Sequence, residues 1–128
     1  MGTQSNIRCK QKIMVVDDEE LFLELTEEFF SEAGIDIITT SNPESVLNLF
    51  EKHSPSVLIT DLSLPNCSGI DLAFKVKQLY PSTKVIFITG YSELNYQDER
   101  LVSLMGSRIL HKPFPITSLI HLAESLQG

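Results

Sequence analysis

The apolar positions of this chain fall into two alternating patterns. Short runs rich in β-branched residues are typical of strands that are buried on both faces. Longer stretches separate them, in which apolar residues recur every three or four positions, as on one face of a helix. Five strands are predicted, at residues 12–16, 36–40, 57–60, 85–88 and 109–110.

Five helices are predicted after these strands, although the fourth, at 92–105, is polar in its first half. Gly34 ends the first helix, Ser41 or Asn42 caps the second, the third ends before Pro81, and Pro115 opens the last. The apolar positions of the five helices are, in chain order, Leu21, Phe22, Leu25, Phe29 and Ala33; Val46, Leu47 and Phe50; Leu72, Ala73, Val76 and Leu79; Leu101, Leu104 and Met105; and Leu119, Leu122, Ala123 and Leu126.

Strict alternation of strand and helix predicts an α/β fold with a parallel sheet and helices on both faces. Right-handed crossovers make such a sheet doubly wound. Ligands bind these sheets beyond the carboxyl ends of the strands. Functional residues are therefore expected where the strands end.

Composition narrows the function classes. The chain has 128 residues, the size of one domain, and a net charge of -7. It has no extended basic patch, which argues against direct nucleic-acid binding, and no apolar run near the roughly 18 residues of a membrane span. Residues 1–10 are predicted to be a disordered tail and 11–128 the domain. Cys9 and Cys67 are too few for a disulfide framework, so a reducing, cytoplasmic setting is expected.

Ionisable and hydroxyl side chains stand at the predicted strand ends. Asp17 and Asp18 follow the first strand, Asp61 the third, Thr89 the fourth and Lys112 the fifth. Carboxylates in one crevice repel each other, and a divalent cation such as Mg²⁺ removes that cost. An aspartate beside such a cation can act as a nucleophile toward phosphorus, while a lysine and a hydroxyl stabilise the transferred group.

Four sequence motifs resemble the receiver domain of two-component response regulators. They are Val15-Val16-Asp17-Asp18-Glu19, Asp61-Leu62-Ser63-Leu64-Pro65 followed by Gly69, Thr89-Gly90, and Lys112-Pro113-Phe114. They occur in the family's order over about residues 11–126. The resemblance implies a flavodoxin-like five-stranded sheet in the order 2-1-3-4-5.

The resemblance also implies a role for each matching residue. Asp61 would be the phosphoacceptor. Asp18 would bind Mg²⁺ directly, Asp17 directly or through water, and the backbone carbonyl of Ser63 would complete the protein ligands together with Asp61. Thr89 would be the switch hydroxyl, and Lys112 would contact Asp61 and later the phosphoryl group. The Lys112–Pro113 bond is expected to be cis. The donor would be a histidine kinase or a histidine phosphotransfer protein.

Some positions depart from the family pattern or tune it. Ile109 stands where the family often has an aromatic residue that couples to the switch hydroxyl, so this position has no ring that could swing to report phosphorylation. Leu64 replaces a more usual methionine without changing volume much. In the family that the motifs resemble, the side chains at the positions of Ser63 and Tyr91 flank the path of attacking water, and we hypothesise that Tyr91 hinders this path and prolongs the phosphorylated state. A rate of dephosphorylation that does not rise in Tyr91→Ala would contradict this.

Three function classes compete. The leading hypothesis is a phosphorylation switch that changes the surface of the fourth helix, fifth strand and last helix, either alone or within a longer protein with an unknown output partner. It would catalyse only its own phosphoryl transfer and slow self-dephosphorylation. The alternative is a binding module that no longer uses phosphorylation. An aspartate-nucleophile phosphatase would need a second aspartate where Ser63 stands.

Overall fold

The computed structural model describes residues 12–64, 66–90, 100, 102–103 and 106–127. The main elements are β1 (Lys12–Val16), α1 (Glu20–Glu32), β2 (Asp36–Thr40), α2 (Val46–His53), β3 (Val57–Asp61), α3 (Gly69–Leu79), β4 (Lys84–Thr89), β5 (Arg108–His111) and α4 (Ile116–Gln127). All five predicted strands and four predicted helices are confirmed. The predicted tail at 1–10, Tyr91 and most of the predicted helix at 92–105 lie outside the described residues.

The five strands form one parallel sheet in the order β2-β1-β3-β4-β5. This is the expected 2-1-3-4-5 order. β1, β3 and β4 occupy the interior, and β3 is buried along its whole length. A strand that is buried on both faces is apolar along most of its length, which explains the apolar runs in the sequence. In β3 the polar residues Thr60 and Asp61 stand at the carboxyl end.

Each face of the sheet carries its own core, because side chains alternate along a strand. Met14 and Val16 point to the face that α2 and α3 cover, whereas Ile13 and Val15 point to the face that α1 and α4 cover. The buried helical residues of the first core include Val46, Phe50, Ile70, Leu72, Ala73 and Val76, and those of the second are Leu23, Phe30, Leu119, Ile120 and Ala123. The doubly wound arrangement is therefore confirmed.

The row of apolar residues that identifies α1 in the sequence is not its buried face. Leu21, Leu25 and Phe29 are 67%, 40% and 41% exposed, while Leu23, Thr26 and Phe30 are buried. The Thr26 hydroxyl donates to the backbone carbonyl of Phe22 at 2.7 Å, so its polar group is satisfied inside the helix. This bond lets a threonine stand in the buried row. Leu79, on the predicted apolar face of α3, is 62% exposed.

The helix ends follow the expected chemistry. Gly34 follows α1 with a φ of 78°, and its N–H donates to the carbonyl of Ser31 at 2.9 Å. Of the two candidate caps before α2, Asn42 is the one whose side chain accepts a hydrogen bond, from the N–H of Glu44. It caps a 3₁₀ turn, Pro43–Ser45, that leads into α2. α3 ends at Leu79, before Pro81 as expected.

A short hairpin between β3 and α3 was not predicted. It pairs Ser63–Leu64 with Cys67–Ser68 in antiparallel fashion. The Ser68 hydroxyl oxygen then accepts from the N–H groups of Ile70 and Asp71 at the start of α3. The loop after β3 is therefore held at both ends.

The described helices are short. The longest, α1, has 13 residues. Within the described part of the chain, no helix is long and apolar enough to span a bilayer.

Candidate functional site at the carboxyl ends of the strands

The parallel register brings the predicted site residues to one edge of the sheet. Val16 pairs with Thr60, which places Asp17 and Asp61 side by side just beyond the pair. Thr89 ends β4 and pairs with His111, the residue before Lys112. Asp17, Asp61, Thr89 and Lys112 therefore converge although they come from four separate stretches of chain.

Three carboxylates form a compact cluster. One oxygen atom from each of Asp17, Asp18 and Asp61 lies within 4.8 Å of the other two. Asp17 and Asp61 are buried, whereas Asp18 is exposed. The cluster thus opens to solvent on the side of Asp18.

The pKa of Asp17 is strongly perturbed. Burial raises its pKa from 3.8 to about 6; the N–H of Glu19 opposes this shift, and the negative charge of Asp61 adds to it. Its Oδ1 atom accepts that N–H at 2.9 Å. Its Oδ2 atom is buried and accepts no hydrogen bond from any residue that the structure describes.

An unmet buried carboxylate oxygen is costly unless something satisfies it. A divalent cation would both coordinate this atom and reduce the repulsion among the three carboxylates. The side chains present therefore fit a metal ion with oxygen ligands.

Asp61 is held by the hairpin on one side and by Lys112 on the other. Its Oδ1 atom accepts the backbone N–H of Ser63 at 3.1 Å. Its Oδ2 atom accepts a hydrogen bond from Lys112 Nζ at 3.3 Å. The expected contact between Lys112 and Asp61 is thus present in the geometry.

Lys112 also lies 3.7 Å from Glu19 Oε1, an exposed carboxylate. Burial alone would lower the pKa of Lys112, but the charges of Asp61, Asp17 and Glu19 together outweigh it and the net shift is upward. Lys112 therefore stays protonated at neutral pH. Its peptide bond to Pro113 is cis, as expected.

Thr89 is fully buried, and its hydroxyl donates to the carbonyl of Gly90 at 3.1 Å. Its own backbone carbonyl accepts the N–H of Lys112 at 2.9 Å. Ile109 is half-buried and packs against the core between the sheet and α2 and α3. Thr89, the expected switch hydroxyl, and Ile109, at the position of the family's usual aromatic residue, thus lie on neighbouring strands.

Gly69 has a steric role that sequence reasoning did not assign. A Cβ atom at this position would lie 2.0 Å from the backbone oxygen of Asp61 and 3.0 Å from the Cα of Leu62. Its N–H donates to the carbonyl of Leu62 at 2.7 Å. The glycine after the Asp61 motif was visible in the sequence, but the close approach of α3 to Asp61 was not.

The histidines do not join the site. His53 lies 3.3 Å from Lys12 Nζ at the other end of β1, and His121 is on the exposed side of α4. His111 is exposed beside Lys112. Cys67 is a free, half-buried thiol in the hairpin.

Comparison with known proteins decides the family. The family model described as "Response regulator receiver domain" matches residues 13–124. This chain belongs to the response regulator receiver domain family. Such domains are signalling switches of two-component systems and not classical enzymes.

Curated relatives show the receiver domain in different settings. The chain is 26% identical over 110 residues to the autoinducer 1 sensor kinase/phosphatase LuxN of Vibrio campbellii, covering 86% of this chain and 13% of that protein. It is 28% identical over 109 residues to sporulation initiation phosphotransferase F of Bacillus subtilis, covering 85% of this chain and 87% of that protein. The chain thus spans a small part of one relative and most of the other.

The receiver fold is shared with the chemotaxis protein CheY4 of Vibrio cholerae. The two chains superpose with a TM-score of 0.81 at 20% identity, covering 92% of this chain and 99% of the other. The sheet and its helices are therefore those of a CheY-like receiver.

Proposed function

We propose that this receiver domain accepts a phosphoryl group on Asp61, with Mg²⁺ held by Asp17, Asp18, Asp61 and the backbone carbonyl of Ser63. The observation that carries the proposal is the convergence of three carboxylates within 4.8 Å, with an ammonium group 3.3 Å from Asp61. An acidic cluster alone is common. A cluster that also holds a lysine against one buried carboxylate is suited to phosphoryl transfer.

The transfer uses a carboxylate oxygen of Asp61 as the nucleophile. The new bond joins this oxygen to phosphorus, while the bond between phosphorus and a histidine nitrogen of the donor breaks. That nitrogen leaves with the electron pair and takes up a proton. The N–H of Ser63 and the ammonium group of Lys112 hold the two Asp61 oxygens in place before the reaction, so little reorganisation is needed.

Magnesium, when bound by these residues, neutralises charge on the phosphoryl oxygens and on the carboxylates. Lys112 supplies a second positive charge and can follow the oxygen of Asp61 onto the phosphoryl group, because its side chain is part-exposed and flexible. Without such charges, a dianionic group could not approach three carboxylates.

Thr89 is the proposed reporter of the reaction. Its hydroxyl is buried at the end of the strand beside β3, and its donation to Gly90 is one hydrogen bond that it can exchange for a phosphoryl oxygen. This exchange would shift the backbone between β4 and β5, and with it the surface of the predicted fourth helix, β5 and α4. Ile109 gives this movement an aliphatic neighbour in place of an aromatic ring.

Receiver domains accept phosphoryl groups from histidine kinases. We infer that the donor here is a histidine kinase or a histidine phosphotransfer protein in the cytoplasm, and that the output is another protein or domain. The curated relatives include a sensor kinase/phosphatase, in which the match is a small part of a long chain, and a phosphotransferase, in which it is most of the chain. A receiver that is part of a longer protein and one that stands alone are therefore both consistent with this family.

A mass measurement tests the proposal. The protein is incubated with Mg²⁺ and acetyl phosphate, and its intact mass is followed over time. One phosphoryl adduct is expected in the parent chain, and none in Asp61→Asn or after Mg²⁺ is removed with a chelator. An adduct that persists in Asp61→Asn would contradict the assignment of Asp61.

The same measurement separates the alternative, a binding module that does not use phosphorylation. That function predicts no adduct from acetyl phosphate, from phosphoramidate or from any phosphorylated kinase. The observation that favours the binding module is Ile109, because the usual aromatic partner of the switch hydroxyl is absent from this position.

A further inference from the structure

Strand β2 forms one edge of the sheet, and its outer backbone groups have no partner in the described part of the chain. In a parallel pair, every second residue directs both its N–H and its C=O group toward the neighbouring strand. The carbonyl of Thr40 accepts the N–H of Asp17, which follows β1, so Thr40 and its alternates in β2 face β1. The N–H and C=O groups of Ile37 and Thr39 therefore point outward.

This edge lacks features that often protect an exposed strand. Lysine, proline and β-bulges keep edge strands from pairing with other chains, and β2 contains none of them. Its one charged residue, Asp36, stands at its start, and the β-branched residues that follow favour pairing. These residues are partly exposed, whereas every residue of β3 is buried. The backbone of β2 is thus accessible to a further strand.

An acidic groove lies between β2 and α1. Two depressions of about 370 Å³ and 380 Å³ form it, and Glu24 and Glu27 line both. The Thr39 hydroxyl donates to Glu27 Oε2 at 3.3 Å. The other carboxylates that line the groove are those of Glu20, Glu28 and Asp36. Among the described residues, no basic side chain lines the groove or forms an ion pair with these five carboxylates, so their negative charge is uncompensated.

The spacing of these carboxylates matches the spacing of side chains on an added strand. Along a helix, residues four apart are separated by about 6 Å, and Glu20, Glu24 and Glu28 form a row with this period. Along a strand, residues two apart are separated by about 6.6 Å and point to the same face of the sheet. A strand paired with β2 would therefore place every second side chain over the glutamate row.

We propose that the outer edge of β2 binds an extended segment of a partner protein in which lysine or arginine occupies every second position. Backbone hydrogen bonds to Ile37 and Thr39 supply affinity, and the acidic groove selects the basic side chains. Neither Asp61 nor the carboxylate cluster around it takes part in this binding, which is independent of phosphorylation.

A second copy of this chain fits the edge less well. An antiparallel two-fold contact between two β2 strands would join the two sheets edge to edge, with α1 of both subunits on the same face. The two glutamate rows would then face each other across the contact. Like charges placed together oppose association. Charge complementarity therefore favours a basic partner over a second copy.

Short synthetic peptides test the inference with the full chain. The first alternates lysine with threonine, and the second has glutamate in place of lysine. The third has the composition of the first, but its lysines are placed side by side. The fourth is the first peptide with N-methylated backbone amides, which cannot donate hydrogen bonds. Binding to the parent chain and its variants is measured by fluorescence anisotropy, and circular dichroism checks that each variant is folded.

Two pairs of variants separate the groove from the strand edge. Glu24→Lys/Glu27→Lys reverses the charge of the groove, and Glu51→Lys/Glu124→Lys makes the same change of charge at exposed positions of α2 and α4. Thr39→Pro removes one outward N–H group, at a position where an edge strand tolerates proline. Thr39→Val keeps that N–H group and removes only the hydroxyl.

The parent chain is expected to bind the alternating lysine peptide at least about tenfold more tightly than each of the other three peptides. Glu24→Lys/Glu27→Lys should reverse the preference in favour of the glutamate peptide, while Glu51→Lys/Glu124→Lys should keep the preference of the parent. Thr39→Pro should lose about fivefold in affinity for the alternating lysine peptide, and Thr39→Val should not.

Equal binding of the alternating peptide and of either the clustered or the N-methylated peptide overturns the proposal, because charge alone would then explain the binding. An equal effect of the two pairs of Glu→Lys changes also overturns it. A parent dimer in sedimentation velocity that Thr39→Pro dissociates would assign the edge to a second copy instead. Arg8 and Lys10 repeat the alternation within this sequence. A gain in affinity for the lysine peptide in Arg8→Gln/Lys10→Gln would therefore assign the edge to the chain's own basic segment.

Discussion

Lys112 is the cation, among the described residues, that contacts the carboxylate site directly. Its ammonium group lies between Asp61 and Glu19, at 3.3 Å and 3.7 Å. The two contacts are unequal, because the Asp61 carboxylate is buried and the Glu19 carboxylate is exposed. An exposed pair contributes little, whereas a charged hydrogen bond to a buried group is strong. We therefore expect the contact with Asp61 to dominate the function of Lys112.

Replacing Lys112 by glutamine should slow phosphorylation of Asp61 by about a hundredfold, because one preorganised positive charge at the transferred group is lost. The rate of adduct formation with acetyl phosphate, followed by intact mass, measures this. Lys84→Gln is the matched control, since Lys84 is exposed at the start of β4, at the opposite edge of the sheet. Equal rates in parent and Lys112→Gln would show that Lys112 takes no part in the transfer.

Gly69 couples the backbone at Asp61 to the start of α3. A methyl group there would collide with the carbonyl oxygen of Asp61, which cannot move without moving the carboxylate. Gly69→Ala should destabilise the fold by about 1–3 kcal/mol through this overpacking, and should also slow phosphorylation of Asp61. Urea unfolding and the acetyl phosphate assay measure the two effects.

Gly34→Ala provides the comparison for Gly69→Ala. Gly34 has a φ of 78° and open space around a Cβ atom, so alanine adds backbone strain without a collision. It should cost about 1 kcal/mol of stability and leave the phosphorylation rate unchanged. If both alanine variants slowed phosphorylation equally, the close approach to Asp61 would not be the cause.

Helix α1 shows how one element can satisfy two patterns at once. Its sequence contains two overlapping apolar rows, one through Leu21, Leu25 and Phe29 and one through Leu23, Thr26 and Phe30. Hydrophobicity alone favours the first row, since the second contains a threonine. Packing against β2 and α4 selects the second, and the internal hydrogen bond of Thr26 makes it tolerable.

Phe29 and Phe30, which are adjacent in α1, test which of the two rows is buried. Phe30→Ala should reduce the free energy of unfolding by about 3–5 kcal/mol, because Phe30 is fully buried and its removal leaves a cavity. Phe29→Ala should reduce it by less than about 1 kcal/mol, because Phe29 is 41% exposed and lies outside the core. Urea unfolding of both variants measures the two losses of stability. A larger loss for Phe29→Ala than for Phe30→Ala would show that the row containing Phe29 is the buried one.

The raised pKa of Asp17 is a property of the assembled sheet. β1 and β3 pair directly, and their register sets Asp17 beside Asp61 in a buried edge. In the unfolded chain the two carboxylates are separated and hydrated. Folding therefore raises the pKa of Asp17 to about 6, and this shift belongs to the assembled molecule.

This shift predicts how stability depends on pH and on Mg²⁺. A carboxyl with a raised folded-state pKa contributes stability that is fully present below its unfolded value of 3.8 and is lost as the pH rises through about 6. The metal-free domain thus carries a penalty at neutral pH that a bound cation offsets. Mg²⁺ should raise the melting temperature clearly at about pH 7.5 and much less at about pH 5, where protons compete for Asp17.

Thermal unfolding with and without Mg²⁺ at the two pH values measures this difference. In Asp17→Asn the penalty is removed and one ligand charge is lost, so both the effect of Mg²⁺ and its dependence on pH should shrink. An Mg²⁺ effect that is equal at both pH values in the parent chain would show that Asp17 does not bind the ion.

The site residues were predictable from sequence because each one lies at or just beyond the carboxyl end of a strand that its apolar run identifies. Parallel strands end at a common edge, so Asp17, Asp61, Thr89 and Lys112 had to meet once the alternation of strand and helix was recognised. The motifs around them resembled one family, and the match over residues 13–124 agrees. Local patterns of this kind depend on neighbouring residues, and the sequence displays them directly.

Other properties arose only when distant residues came together. The exposed face of α1, the collision that restricts position 69 to glycine, and the raised pKa of Asp17 each depend on what packs against a residue. Burial, steric clearance and electrostatic repulsion act between atoms that are far apart along the chain. The sequence by itself therefore determined the order of elements and the chemistry at the strand ends, while the tertiary structure decided which faces are free and how strongly the carboxylates influence one another.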